Sequence, residues 1–137
     1  MEKKIKITEL DYERLSNLVG AARNIKDVEL NNLNALAREI RRAEKVDSHF
    51  IEPEYVTMNS IVLVKNMETK RPMTVKIVYP KEADFSKGFV SVFSPLGSAL
   101  LGYKIGDSVK FEAPKGIVTI KIISVEYQPE ASKAYSV

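Results

Sequence analysis

The sequence has no cysteine, no tryptophan and a single histidine, His49. Without cysteine, the chain can form neither a disulfide framework nor a thiolate metal site. A histidine-based catalytic triad would have to be built around His49, which lies in the polar segment "DSHFIEPEY", where a lone histidine is usually a solvated loop residue. We therefore expect a protein with no metal, no cofactor and no catalytic residue.

Membrane and nucleotide motifs are missing as well. The sequence has no apolar run near the length of about 18 residues that crosses a membrane, and it does not open with a basic and then apolar leader. Its glycines are not followed by the Gly-Lys-Ser/Thr of a phosphate loop. The 21 basic and 18 acidic residues leave a net charge of +3, which permits contact with an acidic protein or with nucleic acid but requires neither. We expect a monomeric cytoplasmic protein that makes no membrane contact.

The N-terminal part, residues 1–50, has helical periodicity. Thr8 and Asp11 form the capping pattern "TELD" at the start of a first helix. Apolar residues then recur at three- and four-residue steps, at Tyr12, Leu15, Leu18, Val19, Ala22 and Ile25. A second helix repeats this spacing at Leu30, Leu33, Ala37, Ile40 and Ala43. Because the link "RNIKD" is short, the two helices are predicted to form an antiparallel hairpin, a short coiled coil.

Charged residues mark two candidate contact regions on this hairpin. The outer face of the second helix carries a basic stripe of Arg38, Arg41, Arg42 and Lys45. The stripe is either a solvated face interleaved with glutamates or a contact surface for an acidic partner. The tip of the hairpin holds the acidic pair Asp27 and Glu29. Asp27 also has a purely structural use as the cap of the second helix, and Glu29 suits its first turn.

The C-terminal part, residues 54–137, has the pattern of an antiparallel sheet. Turn residues separate five runs rich in Val, Ile, Thr, Tyr and Phe, namely "YVTMNSIVLVK", "RPMTVKIVY", "GFVSVF", "SVKFE" and "IVTIKIISVEY". Ile123 breaks the alternation of the last run, which indicates a β-bulge. Ser94 and Pro95 can cap and begin one short helix that Gly102 ends, and this helix can cover the sheet. The sequence thus predicts an α+β fold, with the helical hairpin followed by this sheet domain.

Several longer stretches resemble a known family. "VTMNSIVLVK", "IVYP", "VSVFSPLGSALLGYKIGDSVKFEAPKG" and "VEYQPEA" are similar to the regulators of nucleoside diphosphate kinase, which are relatives of the bacterial transcript cleavage factors GreA and GreB. The "ITELDYERL" segment is similar to the same family. The resemblance implies an FKBP-like C-terminal domain behind an N-terminal coiled-coil hairpin. It also implies binding to bacterial RNA polymerase near the secondary channel.

The resemblance implies a docking surface at the start of the short helix. Gre factors use a serine and the proline of a Ser-Pro pair there, and these positions match Ser91 and Pro95. Phe93 stands where Gre factors carry aspartate, so that contact must differ or be lost. Ser94 and Pro95 would also cap a core helix without binding anything, and the sequence leaves both uses open.

Two functional classes follow from these observations. The first is a polymerase-binding transcription regulator that competes with Gre factors and contacts nucleic acid only through the polymerase. It should not stimulate transcript cleavage, because the acids of Gre factors are three positions apart, whereas Asp27 and Glu29 are two apart and Leu30 takes the matching position. The second class is a regulator of nucleoside diphosphate kinase or of another metabolic enzyme, as the family name indicates.

A prolyl isomerase, which shares the FKBP fold, is not expected. Those enzymes place a tryptophan at the floor of an aromatic pocket, and this sequence has none. The aromatic residues that keep such an activity testable are Tyr79, Phe85, Phe89 and Tyr103.

Overall fold

A computed structural model describes residues 5–22 and 30–134 of the chain. Its helices are α1 (Glu9–Ala22), α2 (Leu30–Arg42) and α3 (Pro95–Leu100). Its strands are β1 (Lys6–Thr8), β2 (Glu44–Val46), β3 (Ile61–Asn66), β4 (Pro72–Val78), β5 (Phe89–Ser91), β6 (Ser108–Ala113) and β7 (Gly116–Tyr127). This order of helices followed by a curled sheet confirms the predicted α+β class. Among the described residues, no helix is both long enough and apolar enough to cross a membrane.

The first two helices pack together as the apolar spacing predicts. The Thr8 hydroxyl accepts a hydrogen bond from the Asp11 backbone N–H at 3.0 Å and so caps the start of α1. The facing side chains are buried in one cluster that includes Leu15, Val19, Ala22, Leu33, Leu36 and Ile40. β1 leads directly into α1, β2 follows α2, and these two strands pair. The start of α1 therefore lies close to the end of α2. The link at residues 23–29 lies outside the described residues, and the side chains of residues 30–32 do too.

Two very short strands join the helical part to the rest of the molecule. β1 and β2 pair in parallel, and the Glu44 N–H donates to the Ile5 carbonyl at 2.9 Å. The Lys6 N–H donates to the Gly102 carbonyl at 3.1 Å, just beyond α3. Three-residue strands carry too little pattern to be recognised in a sequence, and these two were not predicted.

The main sheet has five strands in the order β5-β4-β3-β7-β6. The β3–β4, β3–β7 and β6–β7 pairs are antiparallel, as predicted. The β4–β5 pair is parallel, which corrects the wholly antiparallel prediction. The connection between these strands, through turns at Pro80–Glu82 and Phe85–Lys87, brings the chain back so that Phe89 lies beside Lys76. Such a return allows two strands consecutive in sequence to run in the same direction.

The predicted bulge at Ile123 is confirmed. Val64 pairs with Ile122, whereas the preceding Leu63 pairs with Ser124, so Ile123 has no partner in the register. A second register shift lies at the end of β7. The extra residues bend the strand and strengthen its twist, which helps to curl the sheet.

The run "YVTMNSIVLVK" is not a strand over its whole length. β3 begins only at Ile61, and the preceding segment is buried but irregular. Its backbone is hydrogen-bonded to other parts of the chain, since the Val56 N–H donates to the Tyr103 carbonyl and the Asn59 N–H to the Ile77 carbonyl. Asn59 has a left-handed backbone conformation, with φ of 67°. A regular strand pairs with one neighbouring strand along its length and could not make hydrogen bonds to such separate parts of the chain. The segment is apolar because it is buried, and the prediction took this apolar pattern for that of a strand.

The short helix α3 packs onto the buried face of the sheet. Leu100 is fully buried and Leu101 nearly so, in the same cluster as Val62 and Val64 of β3. That cluster also contains the buried side chains of α1 and α2. The predicted packing role of the helix is thus confirmed, and the described part of the molecule shares one continuous hydrophobic core.

Candidate docking surface

Residues 91–95, which connect β5 to α3, form a tight turn that we call the docking turn. The Ser91 hydroxyl accepts a hydrogen bond from the Phe93 N–H at 3.0 Å, and the Ser91 carbonyl accepts from both the N–H and the hydroxyl of Ser94. The Ser94 hydroxyl in turn accepts from the Gly97 N–H at 3.1 Å, and Pro95 occupies the first helical turn. The turn is therefore held by its own hydrogen bonds.

A glycine in α3 makes this compact turn possible. A Cβ atom at Gly97 would collide with the carbonyl oxygen of Ser91 and lie 3.1 Å from the Cα of Val92. Real Cβ atoms do not approach backbone atoms so closely, so glycine is needed for the helix to pack against the end of β5. The sequence signal for this packing was the "SPLG" string, although its spatial meaning depends on the fold.

The four predicted docking residues come together in this turn. Ser91, Phe93, Ser94 and Pro95 are all half-buried, so each keeps part of its surface accessible to a partner. Phe93 is partly buried against the core. Ser94 caps α3 as the structural interpretation predicted. Capping uses its hydroxyl but does not remove the turn from the surface.

The predicted acidic pair at the tip of the hairpin cannot be placed. Asp27 and Glu29 both lie in the segment 23–29, outside the described residues. Their role therefore remains a prediction. The described part of α1 has 14 residues and is about 21 Å long at 1.5 Å per residue.

The structure corrects the predicted basic stripe in one respect, because α2 ends at Arg42 and Lys45 lies in β2. Two of the four residues are exposed, and the other two contact neighbouring groups. Arg38 and Arg41 are exposed. Arg42 contacts Glu39 at 2.8 Å and donates to the Tyr103 hydroxyl at 3.2 Å, which ties the end of α2 to the segment after α3. Lys45 donates to the Arg41 carbonyl, and its ammonium lies 4.6 Å from the centre of the Tyr12 ring. Arg38 and Arg41 are thus the members of the stripe that the fold leaves most accessible.

A buried acid that sequence reasoning used only as a cap joins the helical part to the sheet domain. The Asp11 side chain is 2% exposed, and its carboxylate accepts from the Met58 N–H at 3.1 Å. Burial raises the pKa of Asp11 to about 7, although the Met58 hydrogen bond opposes the shift. Glu130 raises this pKa further and Arg14 lowers it. No local sequence pattern could have indicated a partner 47 residues away.

A buried phenol lies near this acid. The pKa of Tyr79 is raised to about 12, mainly by burial and also by the negative charge of Asp11, while Arg14 opposes the shift. The described residues contain no group of acidic or histidine side chains that could hold a metal ion. His49 is exposed beside Asp47, with its Nδ1 at 2.8 Å from the carboxylate, and its backbone N–H helps to lower the pKa of Asp47.

These features define a small α+β protein in which a helical pair precedes a curled sheet and the most distinctive surface turn lies at the end of an edge strand. Residues 52–127 match the family model described as "Transcription elongation factor, GreA/GreB, C-term", and residues 3–46 match the model described as "Rnk N-terminus". The chain belongs to the GreA/GreB transcription elongation factor family.

Individual relatives agree with this assignment. The chain is 35% identical over 130 residues to the regulator of nucleoside diphosphate kinase of Escherichia coli K12, covering 94% of this chain and 93% of the relative. It is 34% identical over 108 residues to the transcription elongation factor GreA of Pelobacter propionicus, covering 79% and 68%. Among solved structures, a prokaryotic transcription elongation factor GreA/GreB from Nitrosomonas europaea superposes with a TM-score of 0.73 at 35% identity, covering 92% of this chain and all of that one.

Proposed function

We propose that this protein is a transcription regulator that binds bacterial RNA polymerase near its secondary channel, with the docking turn at the contact. The single observation that carries the proposal is the GreA/GreB match over residues 52–127, which includes the whole five-stranded sheet, the docking turn and α3. The local geometry supports it, because the hydrogen bonds of the turn hold Ser91 and Pro95 in one accessible arrangement. A preformed surface loses little conformational entropy on binding.

The proposed action is occupancy of the channel without chemistry. Transcript cleavage by Gre factors depends on an acidic pair that helps to hold a magnesium ion, and carboxylates are suitable ligands for this ion. Asp27 and Glu29 have a different spacing. The predicted first helix, from Thr8 to Arg23, would also be only about 24 Å long at 1.5 Å per residue, shorter than the hairpin of Gre factors. The protein would therefore exclude Gre factors from the polymerase and leave cleavage unstimulated. Such a protein acts in the cytoplasm and is not an enzyme.

Purified polymerase and the full chain test this docking assignment. The double variant Ser91→Arg with Pro95→Ala places a bulky cation in the turn and changes the first helical residue, without removing buried apolar volume. We expect co-migration of the wild-type chain with polymerase in gel filtration and at least about tenfold weaker binding of the double variant, the loss that corresponds to about 1.4 kcal/mol.

A matched control changes the same residue types far from the turn. Ser132 and Pro114 are both exposed, so Ser132→Arg with Pro114→Ala should bind like the parent. Equal weakening by both pairs, or no binding by the wild-type chain, would refute the docking assignment. Ser91→Arg also removes the hydrogen bond that the Phe93 N–H donates to Ser91, so the docking variant should melt slightly below the parent and the control variant at the temperature of the parent. Binding measured well below both melting temperatures separates lost contact from lost structure.

A second candidate function is regulation of nucleoside diphosphate kinase through protein contact. It is favoured by the match of residues 3–46 to the Rnk N-terminus and by the name of the Escherichia coli relative. Capture on the immobilised chain separates the two candidates. Polymerase subunits recovered from a native lysate favour the first function, and the kinase recovered without polymerase favours the second.

A further inference from the structure

The outer face of the five-stranded sheet carries a band of lysines. Lys65 of β3 and Lys121 of β7 are direct register partners, and their neighbours Val64 and Ile122 are fully buried on the core side. Both lysines therefore lie on the outer face. Lys110 of β6 shares this face because it pairs with Thr119, two residues before Lys121.

A fourth lysine extends the band across the sheet. Lys76 of β4 pairs with Ile61, four residues from Lys65, and so points to the same side. With neighbouring strands about 4.8 Å apart and alternate residues about 6.6 Å apart, the Cα atoms of the four lysines follow a diagonal roughly 25 Å long. The acids on these five strands, Glu112 and Glu126, lie near the ends of the diagonal, at the β6–β7 turn and at the second register shift.

The pairing of Lys65 with Lys121 disfavours the fold unless an anion is present. Like charges directly opposite each other on neighbouring strands destabilise a sheet. Within residues 5–22 and 30–134, neither lysine forms an ion pair. The fold therefore accepts a repulsion that a bound polyanion would relieve.

Aromatic side chains lie at one end of the band. The Lys76 ammonium is 5.2 Å from the centre of the Phe89 ring, and Phe89 is half-buried on the same face. Phe85, in the turn just before β5, is 83% exposed. A basic band that ends beside a half-buried and an exposed aromatic ring suits a single-stranded nucleic acid, whose phosphates follow the charges and whose bases stack on the rings.

We propose that this outer face binds single-stranded nucleic acid without sequence preference. An acidic protein is the less suitable occupant, because lysine is depleted in protein–protein interfaces. This proposal does not depend on polymerase binding, since the free chain should show it.

Fluorescence anisotropy of a labelled mixed-sequence single-stranded RNA, titrated with the full chain at several salt concentrations, tests the proposal. Each neutralised phosphate contributes about −0.7 to the slope of log K against log salt, so four contacts predict a slope of about −3. The double variant Lys65→Gln with Lys121→Gln should make this slope shallower by about 1.4. Its melting temperature should equal or exceed that of the parent, because the two positive charges no longer face each other.

Lys104→Gln with Lys133→Gln is the matched control, since it removes the same charge from two exposed lysines that lie outside the strands of the sheet. It should leave RNA binding within about twofold of the parent, a difference of about 0.4 kcal/mol. Equal losses in both double variants would overturn the assignment, because only net charge would then matter. The assignment would also be overturned if the chain did not bind RNA at low salt, or if its binding did not weaken as the salt concentration rises. Tighter binding of poly-glutamate than of RNA, abolished in the lysine variant, would replace nucleic acid by an acidic protein partner.

Discussion

At the scale of single residues, Asp11 is the group whose chemistry folding changes most. Its folded-state pKa of about 7 is far above the ordinary value of 3.8. Between these values the folded state binds more protons than the unfolded state, so the free energy of unfolding falls as the pH rises through this window. The loss is complete above about pH 7 and amounts to a few kcal/mol, on the order of 4. Arg14, Tyr79 and Glu130 are the charged and titratable groups that face it.

Replacing Asp11 by asparagine should remove this pH dependence. The asparagine side chain would keep an oxygen that can accept from the Met58 N–H but would carry no proton to lose. Urea unfolding followed by circular dichroism from about pH 5 to about pH 8 should show a falling stability for the wild-type chain and a flatter profile for Asp11→Asn. Glu13→Gln, an exposed change in the same helix, should keep the wild-type slope. Identical slopes in all three proteins would refute the coupling.

Gly102 is a second residue whose substitution should lower stability for a specific structural reason. Its φ is +87°, and a Cβ atom there would lie 2.9 Å from the Cβ of Ile5 and 3.3 Å from the carbonyl oxygen of Lys6. Gly102→Ala therefore adds a collision to an unfavourable backbone conformation, and we expect a loss of about 2–4 kcal/mol in the free energy of unfolding.

Gly106 is a built-in control for that change. Its φ is +93°, but a Cβ atom there would meet open space. Gly106→Ala should thus lose only about 1 kcal/mol, the share due to the backbone conformation. Denaturant unfolding of the two variants measures the difference. Equal losses in the free energy of unfolding would mean that a collision with Ile5 adds nothing to the cost of Gly102→Ala.

At the scale of secondary-structure elements, α3 connects the docking turn to the core. Leu100 is fully buried, so Leu100→Ala should lower the free energy of unfolding by about 2–5 kcal/mol. Ile117, which is 58% exposed, supplies a large-to-small control, and Ile117→Ala should change stability by less than about 0.5 kcal/mol. Equal melting temperatures for the two variants would show that α3 does not pack on the buried face of the sheet.

The elements differ in how far the sequence determines them. The caps at Thr8 and Ser94 were predictable because a capping residue and its partner lie within three positions. The bulge at Ile123 was predictable because it breaks a two-residue period. The parallel β4–β5 pair was not, because its register depends on the irregular connection between the strands and not on their apolar pattern.

The candidate surfaces divide in the same way. The docking turn is contiguous in sequence, so a match to Ser91 and Pro95 was enough to propose it. The lysine band comes from four different strands, and its members become neighbours only through the register of the sheet. The Asp11–Met58 contact also joins distant segments, and burial rather than sequence pattern gives the carboxyl its unusual pKa.

At the scale of the whole molecule, the contacts between the helical part and the rest of the chain fix the position of α1 and α2 relative to the docking turn. β1 is hydrogen-bonded to Gly102 just beyond α3, Arg42 of α2 contacts Tyr103, and the core is continuous. A partner that binds the docking turn would therefore also fix the direction in which the helical pair points.

RNA cleavage in backtracked bacterial RNA polymerase, measured with and without added GreA, tests the central claim that this protein occupies the site of Gre factors without their chemistry. The account predicts cleavage at the basal rate with this protein alone, and a saturable reduction of the GreA stimulation that Ser91→Arg with Pro95→Ala abolishes. Cleavage that rises with this protein alone and falls with Asp27→Asn would contradict the account, as would a GreA stimulation that excess protein leaves unchanged.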